Sequence, residues 1–272
     1  MLFILLAMII AGPSGAQKTD VADMELKGKV KALKTKTTYR YKKNGVFTEW
    51  EKLHEHQYQF NNTGYKTEFK EYSGKDSLNY RITYMYVPKE KKAELSYFDK
   101  ELKPTSKKTY NYNDKGYKIE DLEYSRTGEL DRRYTYTYDD RGNMTEMTGY
   151  RKNGTVSSKI NYVYDSKNKL VGLKVETPGY ATSSREFVYD EKGNMTEEIM
   201  YDGDGEIEFR FVRTYNANGN KTQELKYKGE DQLLDSGKWR YDYDKMGNWT
   251  KRIQSTSDGN DFHIEERTIV YF

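Results

Sequence analysis

Two histidines one residue apart, His54 and His56, would share one face of a strand, an arrangement that some metal sites use. No third histidine or cysteine lies near them and His263 is remote in the chain, so they read as two exposed histidines of a capping segment and no metal is expected. Asp202-Gly203-Asp204-Gly205-Glu206-Ile207-Glu208 offers acids at alternate positions, as calcium loops do. Such a loop needs its glycine at the sixth position, and Gly205 comes too early. Lys27, Lys29, Lys31, Lys34 and Lys36 could meet an anionic surface, but lysines also guard the free edge of a sheet, and that is the reading adopted. The chain has no cysteine, which excludes disulfides, thiolate metal sites and a cysteine nucleophile. It also lacks a nucleophile elbow, a phosphate-binding glycine loop and a metalloprotease helix. The sequence therefore predicts no catalytic residues, no cofactor and no enzyme.

What remains is aromatic. The chain carries 27 Tyr, 10 Phe and 3 Trp, and the tyrosines are periodic. Tyr136-Thr137-Tyr138-Asp139-Asp140-Arg141-Gly142-Asn143-Met144-Thr145 matches Phe187-Val188-Tyr189-Asp190-Glu191-Lys192-Gly193-Asn194-Met195-Thr196 and Tyr241-Asp242-Tyr243-Asp244-Lys245-Met246-Gly247-Asn248-Trp249-Thr250. The turn position recurs at Gly64, Glu90, Gly116, Gly142, Asn168, Gly193, Gly219 and Gly247, with steps of 26, 26, 26, 26, 25, 26 and 28 residues. Tyr-x-Tyr puts two rings on one face of a strand. The following Asp or Asn starts a turn by accepting from the backbone two residues on, and glycine closes it in the left-handed conformation. Asn168 in place of glycine fits, because asparagine tolerates a positive φ. A second turn about twelve residues later, as at Arg151-Lys152-Asn153-Gly154, makes each unit a hairpin. The Asn-x-Thr triplets starting at Asn143, Asn194, Asn220 and Asn248 belong to this grammar rather than to glycosylation.

The expected fold is all-β: tandem hairpins of about 26 residues in one long, curved or spiralling antiparallel meander of about 14 to 17 strands. Tyr138, Tyr164, Tyr189 and Tyr215 should align across strands as a ladder whose open part could bind. Trp50, Trp239 and Trp249 fall outside the ladder and are candidates for an aromatic platform. Mean hydropathy is −1.06, yet 15% of the residues are aromatic. That composition argues for an ordered protein with thin tyrosine layers, not a disordered one. Charged residues are 33% of the chain but the net charge is only +3, which gives no global pull towards nucleic acid.

Residues Leu2 to Ala11 are apolar, and small residues at Ser14 and Ala16 suit cleavage before Gln17. The segment is shorter than the roughly 20 residues of a spanning helix. The sequence thus divides into a leader over 1–16, an N-terminal capping region over 17–57, hairpin repeats over 58–254 and a capping strand over 255–272. The product is expected to be exported to the periplasm or the cell surface, with no stable membrane span.

From about Tyr58 to Ile253, the Tyr-x-Tyr-Asp-x-x-Gly-Asn-x-Thr units resemble the YD repeats of the Rhs family. The resemblance implies a β-spiral, and it is nearest to the small exported YD-repeat proteins of the bacterial envelope. Carbohydrate binding is implied by that resemblance, not by these residues. The function expected is a non-catalytic envelope scaffold that binds a glycan or a protein partner. The alternatives are a purely structural module docking to other envelope proteins through a sheet edge or end and, behind it, a glycan-active enzyme.

Overall fold

The computed structural model describes residues 19–74, 76–87 and 92–272. The leader expected over 1–16 and the degenerate turn at Pro88 and Glu90 lie outside the described residues. A short helix, α1 (Asp20–Asp23), leads into β1 (Val30–Tyr39), β2 (Lys42–Lys43), β3 (Val46–Phe47), β4 (Glu51–Phe60), β5 (Lys66–Ser73), β6 (Ser77–Val87) and β7 (Lys92–Phe98). Next come β8 (Pro104–Tyr112), β9 (Lys118–Tyr124), β10 (Leu130–Tyr138), β11 (Met144–Arg151), β12 (Val156–Tyr164), β13 (Leu170–Glu176) and β14 (Ser183–Tyr189). The chain ends with β15 (Met195–Tyr201), β16 (Ile207–Tyr215), β17 (Lys221–Lys228), β18 (Gln232–Tyr243), β19 (Trp249–Ser255) and β20 (Asp261–Tyr271).

The turns form as their residues dictate. Asp139 accepts at Oδ1 from the backbone N–H of Arg141 (3.0 Å) and Asn143 (2.8 Å), and the Gly142 N–H donates to the Asp139 carbonyl at 3.0 Å. Asn113, Asp165, Asn216 and Asp244 repeat this pattern in their own turns. Gly116 has φ +81°, and Asn168 takes the same left-handed region at +62°. A Cβ on Gly116 would meet no atom within 4 Å. Gly116→Ala should therefore cost only the conformational penalty, about 1 kcal/mol, whereas Asn168→Gly relieves the left-handed backbone but gives up the bond that Asn143 Nδ2 donates to Asn168 Oδ1 at 3.1 Å. Urea denaturation of the two variants measures the difference. Asp202, whose segment resembles part of a calcium loop, closes a hairpin turn of the same kind, accepting from Asp204 and Glu206.

From β4 to β20 the strands pair in sequence order, each antiparallel to the next. The ends do not stay free. β1 lies between β20 and β4 and bonds to both: Lys34 is opposite Thr268 on one side and Gln57 on the other, and Lys36 is opposite Glu266 and Glu55. The result is a closed 18-stranded antiparallel barrel with a small β2–β3 hairpin at one rim. This corrects the expected open, curved or spiralling sheet. An open meander would leave two rows of unpaired N–H and C=O groups, and closure removes them. It equally corrects the assignment to the YD-repeat proteins of the Rhs family, whose spiral is not what this chain builds. The stretches read as terminal caps supply β1, the start of β4 and β20, the strands at the seam. Lys34 and Lys36 guard no edge, and Lys34 pairs with Glu55 at 2.8 Å across the seam.

Partners in antiparallel register point to the same side, so the register assigns every strand two faces. One face carries Leu33, Tyr58, Phe69, Ile82, Leu95, Tyr110, Tyr136, Ile160, Leu173 and Phe187, and it holds the best-buried side chains, with Leu33 at 1% and Ile160 at 2% exposure. Curvature crowds side chains on the concave side of a ring, so this is the inner face. Its apolar clusters stay within a few consecutive strands: Phe69, Ile82 and Leu95 on β5 to β7, and Ile160, Leu170, Leu173 and Phe187 on β12 to β14.

The outer face is charged at mid-strand almost all the way round. Glu68 pairs with Lys70 (2.7 Å) and Arg81 (2.6 Å), Glu120 with Arg133 (2.7 Å), Glu146 with Lys159 (2.8 Å), and Glu197 with Arg210. Such exposed pairs add little stability each, but they make the surface strongly hydrated. Isolated valines such as Val163, 57% exposed, interrupt the pattern. One row of outward aromatics, including Phe98, Tyr150 and Tyr227, runs near the β2–β3 end, with Arg81, Arg133 and Arg210 lying over those three rings. A membrane-spanning barrel has the opposite plan, an apolar outer band between two aromatic girdles.

Candidate functional site

The repeat builds an inner wall of columns. Six residues before each turn position stand Tyr58, Tyr84, Tyr110, Tyr136, Tyr162, Phe187, Arg213 and Tyr241, and Arg267 lies 26 residues past Tyr241. The column is aromatic except at its two arginines. Five residues after each turn position stand Phe69, Leu95, Asp121, Met147, Leu173, Glu198, Glu224 and Arg252. The inner face is thus apolar on β11 to β13 and becomes charged from Arg185 of β14 onward to β20.

Arg213, on β16, reaches Glu198 (2.7 Å) on β15 and Glu224 (2.7 Å) on β17. Arg185 also holds Glu198 at 3.0 Å, and Lys221 holds Glu224 at 3.1 Å. Burial pushes the Glu224 carboxyl up, but the hydrogen bond from Arg213 and the charge of Lys221 outweigh it and hold the group below the usual carboxylate range. Glu224, so clamped, stays ionised and has no proton to give as a general acid. A second charged group sits on β9 and β10. Asp121 accepts from the Tyr136 hydroxyl (2.8 Å) and from Lys118 (3.2 Å), and burial pulls the Lys118 amine down.

The three histidines converge on the inner face at the seam, and His54 and His56 are half-buried there rather than exposed as the sequence suggests, because they share the face of Tyr58. His54 lies opposite Thr37 of β1 and His263 opposite Tyr39, while the His54 and His56 rings stack at 4.4 Å. His56 Nε2 lies 3.0 Å from Glu71. Among the described residues no group of three or more histidines or acids is placed to hold a metal ion. Burial lowers His54, helped by the charge of His56, and burial lowers His263. Both therefore bind protons less readily folded than unfolded. Their contribution is complete above the unfolded value near 6.5 and is lost as pH falls below it. The melting temperature should drop between pH 7.5 and pH 5, and the drop should shrink in His263→Gln. Calorimetry at the two pH values checks both statements.

The residues picked from sequence occupy three settings. Tyr138, Tyr189 and Tyr215 each donate from the hydroxyl to a backbone carbonyl one hairpin earlier, Lys118 O at 2.7 Å, Leu170 O at 2.8 Å and Met195 O at 2.6 Å. Tyr164 packs on the Ile160 cluster, and burial raises its phenol to about 12. These four rings tie neighbouring hairpins together. Trp239 and Trp249 lie on the inner face, under Lys221 (4.0 Å from the ring) and Arg267 (3.4 Å). Trp50 stands apart at the β2–β3 rim, 38% exposed, with Arg40 over its ring. Arg213, Arg252 and Arg267 were not singled out from sequence; the two column breaks at 213 and 267 and the basic residue at 252 are the signal that would have found them.

Residues 19–29 enter this space at the end opposite β2 and β3. Asp20 Oδ2 accepts from the Lys66 N–H (2.7 Å) and the Tyr86 hydroxyl (2.9 Å), and the Val21 N–H donates to the Gly64 carbonyl. Val21 and Leu26 bury against Val30, Leu33 and Phe60. Asn248 takes both backbone groups of Lys27, accepting from its N–H at 2.7 Å and donating to its carbonyl at 2.9 Å.

No family model and no curated protein matches this chain. Among solved structures it is similar to a porin-like protein from Bacteroides uniformis, at 15% identity and a TM-score of 0.50 over 90% of this chain and 99% of that one. A porin-like protein from Bacteroides vulgatus aligns over 87% of this chain and 97% of that one, at 9% identity and a TM-score of 0.35. The TcdB2–TccC3 complex without its hypervariable C-terminal region aligns over 81% of this chain but 15% of that one, at 12% identity and 0.29. The last two scores carry no argument. The first supports the barrel fold and agrees with the correction away from an Rhs-type spiral.

Proposed function

We propose that this chain is an exported, non-catalytic scaffold of the cell envelope that binds a saccharide against the inner face of its barrel, without passing its wall through a bilayer. One observation carries the reading: the faces are arranged aromatic-in and charged-out. Each arginine or lysine turned to hydrocarbon at the bilayer midplane would cost about 2–4 kcal/mol, and this barrel would turn many. Flat rings with cations beside them, such as Trp239 under Lys221, offer the stacking faces and polar anchors that sugar rings use. The likeness to a porin-like protein supports an envelope setting. The non-catalytic part of the reading is supported by three inner carboxylates, Glu198, Glu224 and Glu265, each held by arginine. Of the rival reading, docking to envelope proteins through a sheet edge or end, closure disfavours the edge, because the ring has no unpaired strand to offer.

A saccharide array probed with the purified protein tests this. Specific binding that is lost in Trp239→Ala or Trp249→Ala and kept in Trp50→Ala is the expected result. A blank array from folded protein, or loss only in Trp50→Ala, would remove the inner face from the account.

A further inference from the structure

Two arginines interrupt the inner aromatic column, and they differ in one respect. Arg213 is neutralised by Glu198 and Glu224. Among the described residues Arg267 has no carboxylate within ion-pairing distance, and its Nε is buried without an acceptor. Its guanidinium carbon lies over the Trp249 ring, 3.4 Å from the centroid. Arg252, on the neighbouring strand, lies over the same ring at 5.1 Å, and its Nε too is buried without an acceptor. The carboxylate nearest to hand, Glu265, is taken by Arg252 Nη2 at 2.5 Å. Tyr241 meets the edge of Trp249 at 6.3 Å.

We propose that Arg267, Arg252 and Trp249 form a binding site for an oxyanion, a carboxylate or sulfate carried on a saccharide. The reading deepens the saccharide proposal and rests on it. A buried donor left unmade is costly, more so on a charged group. A guanidinium presents its donors as a planar fork that fits an oxyanion with two parallel hydrogen bonds, and an aromatic face beside it fits the ring that carries the anion. Burial holds Arg267 down at about 10, against the opposing charge of Glu265. An anion would restore the usual value. The side chain keeps some exposure within the ring, so it is within reach of a ligand. Contact with Trp249 holds the guanidinium in place before a ligand arrives, which reduces the ordering cost of binding.

The test is titration of the whole protein, followed by tryptophan fluorescence, with three probes: galacturonate oligosaccharides, sulfated galacto-oligosaccharides and neutral galacto-oligosaccharides of equal length. Inorganic sulfate alone is the fourth arm. At least one acidic probe should bind tenfold or more tighter than the neutral one, weaken in 0.5 M NaCl, and lose that advantage in Arg267→Gln. Arg267→Lys, which keeps the charge, should retain part of it. Which acidic probe wins identifies the anion, and binding of inorganic sulfate alone with equal affinity would overturn the saccharide part. Equal binding of neutral and acidic probes, unchanged in Arg267→Gln, would overturn the oxyanion site and leave the saccharide reading standing. Binding of none of the probes would overturn both.

Discussion

Asn248→Ala should lower stability by about 3 kcal/mol, more than the same change at any other turn asparagine. The side chain is 3% exposed, and it satisfies the N–H and C=O of Lys27 while donating to the Tyr271 hydroxyl at 2.7 Å. Removing it leaves two backbone groups short of a partner at a site where water enters poorly, and each such group costs about 1–3 kcal/mol. Asn194 occupies the equivalent place in its own repeat, but its Nδ2 bonds to Asp190 within the same turn, at 2.8 Å. Asn194→Ala should therefore cost about 1 kcal/mol. Equilibrium denaturation gives both numbers. Amide exchange of residues 19–29 should accelerate only in the Asn248 variant, because only there is the inner segment released from the β18–β19 turn.

Arg213→Tyr restores the aromatic column, and by repeat logic alone it should be harmless. The structure predicts a loss of about 3 kcal/mol instead. Glu198 and Glu224 would keep Arg185 and Lys221 but lose the cation that bridges them. Removing one partner of a poorly solvated ion network costs about 3–5 kcal/mol, since the remaining charge stays behind; the partial exposure of this network places the expectation at the lower end. The triple change Arg213→Tyr with Glu198→Met and Glu224→Leu, which copies the residues of earlier repeats, should recover part of the loss, since the half-exposed Arg185 and Lys221 then lose their carboxylates. Recovery would show that the penalty came from stranded carboxylates and not from the tyrosine. The triple variant is compared with the single one by urea titration.

The local grammar of this protein was legible in its sequence. The Asp139 and Asp244 turns, the left-handed Gly116 and the substitution of Asn168 all follow from short-range backbone chemistry, and each appears where the repeat places it. Closure was not legible, because it depends on pairing between residues more than 200 positions apart. Lys34 facing both Gln57 and Thr268 leaves no mark in a 26-residue period. β1 lacks the Tyr-x-Tyr motif, so it looked like a cap when it is the strand that joins the two ends. The same lysines that suggested an edge are compatible with any outward face, and the outward face of a ring has no edge. The site followed a similar course. Trp239 and Trp249 were visible as aromatic residues off the ladder, and both lie inside, whereas three ladder tyrosines, Tyr138, Tyr189 and Tyr215, bond to neighbouring backbone. Arg213 and Arg267 were hidden by the habit of reading a repeat for its consensus. Their information lies in the departure from it, and only the geometry distinguishes the arginine that is neutralised from the one that is not.

Ring closure is the claim on which the inner face, the inner segment and the proposed site all depend. The chain has no cysteine, so pairs can be introduced on a clean background. Lys34 lies directly opposite Thr268 of β20 and Gln57 of β4, and directly opposed residues in antiparallel strands have Cα separations of about 4.5–5.5 Å, within the range of a disulfide. Two double variants, Lys34→Cys with Thr268→Cys and Lys34→Cys with Gln57→Cys, are oxidised and followed by electrophoretic mobility and mass spectrometry. The closed barrel predicts that both form intramolecular disulfides in high yield. A disulfide in the variant that pairs positions 34 and 57, with none in the variant that pairs positions 34 and 268, would mean an open sheet and would contradict the account.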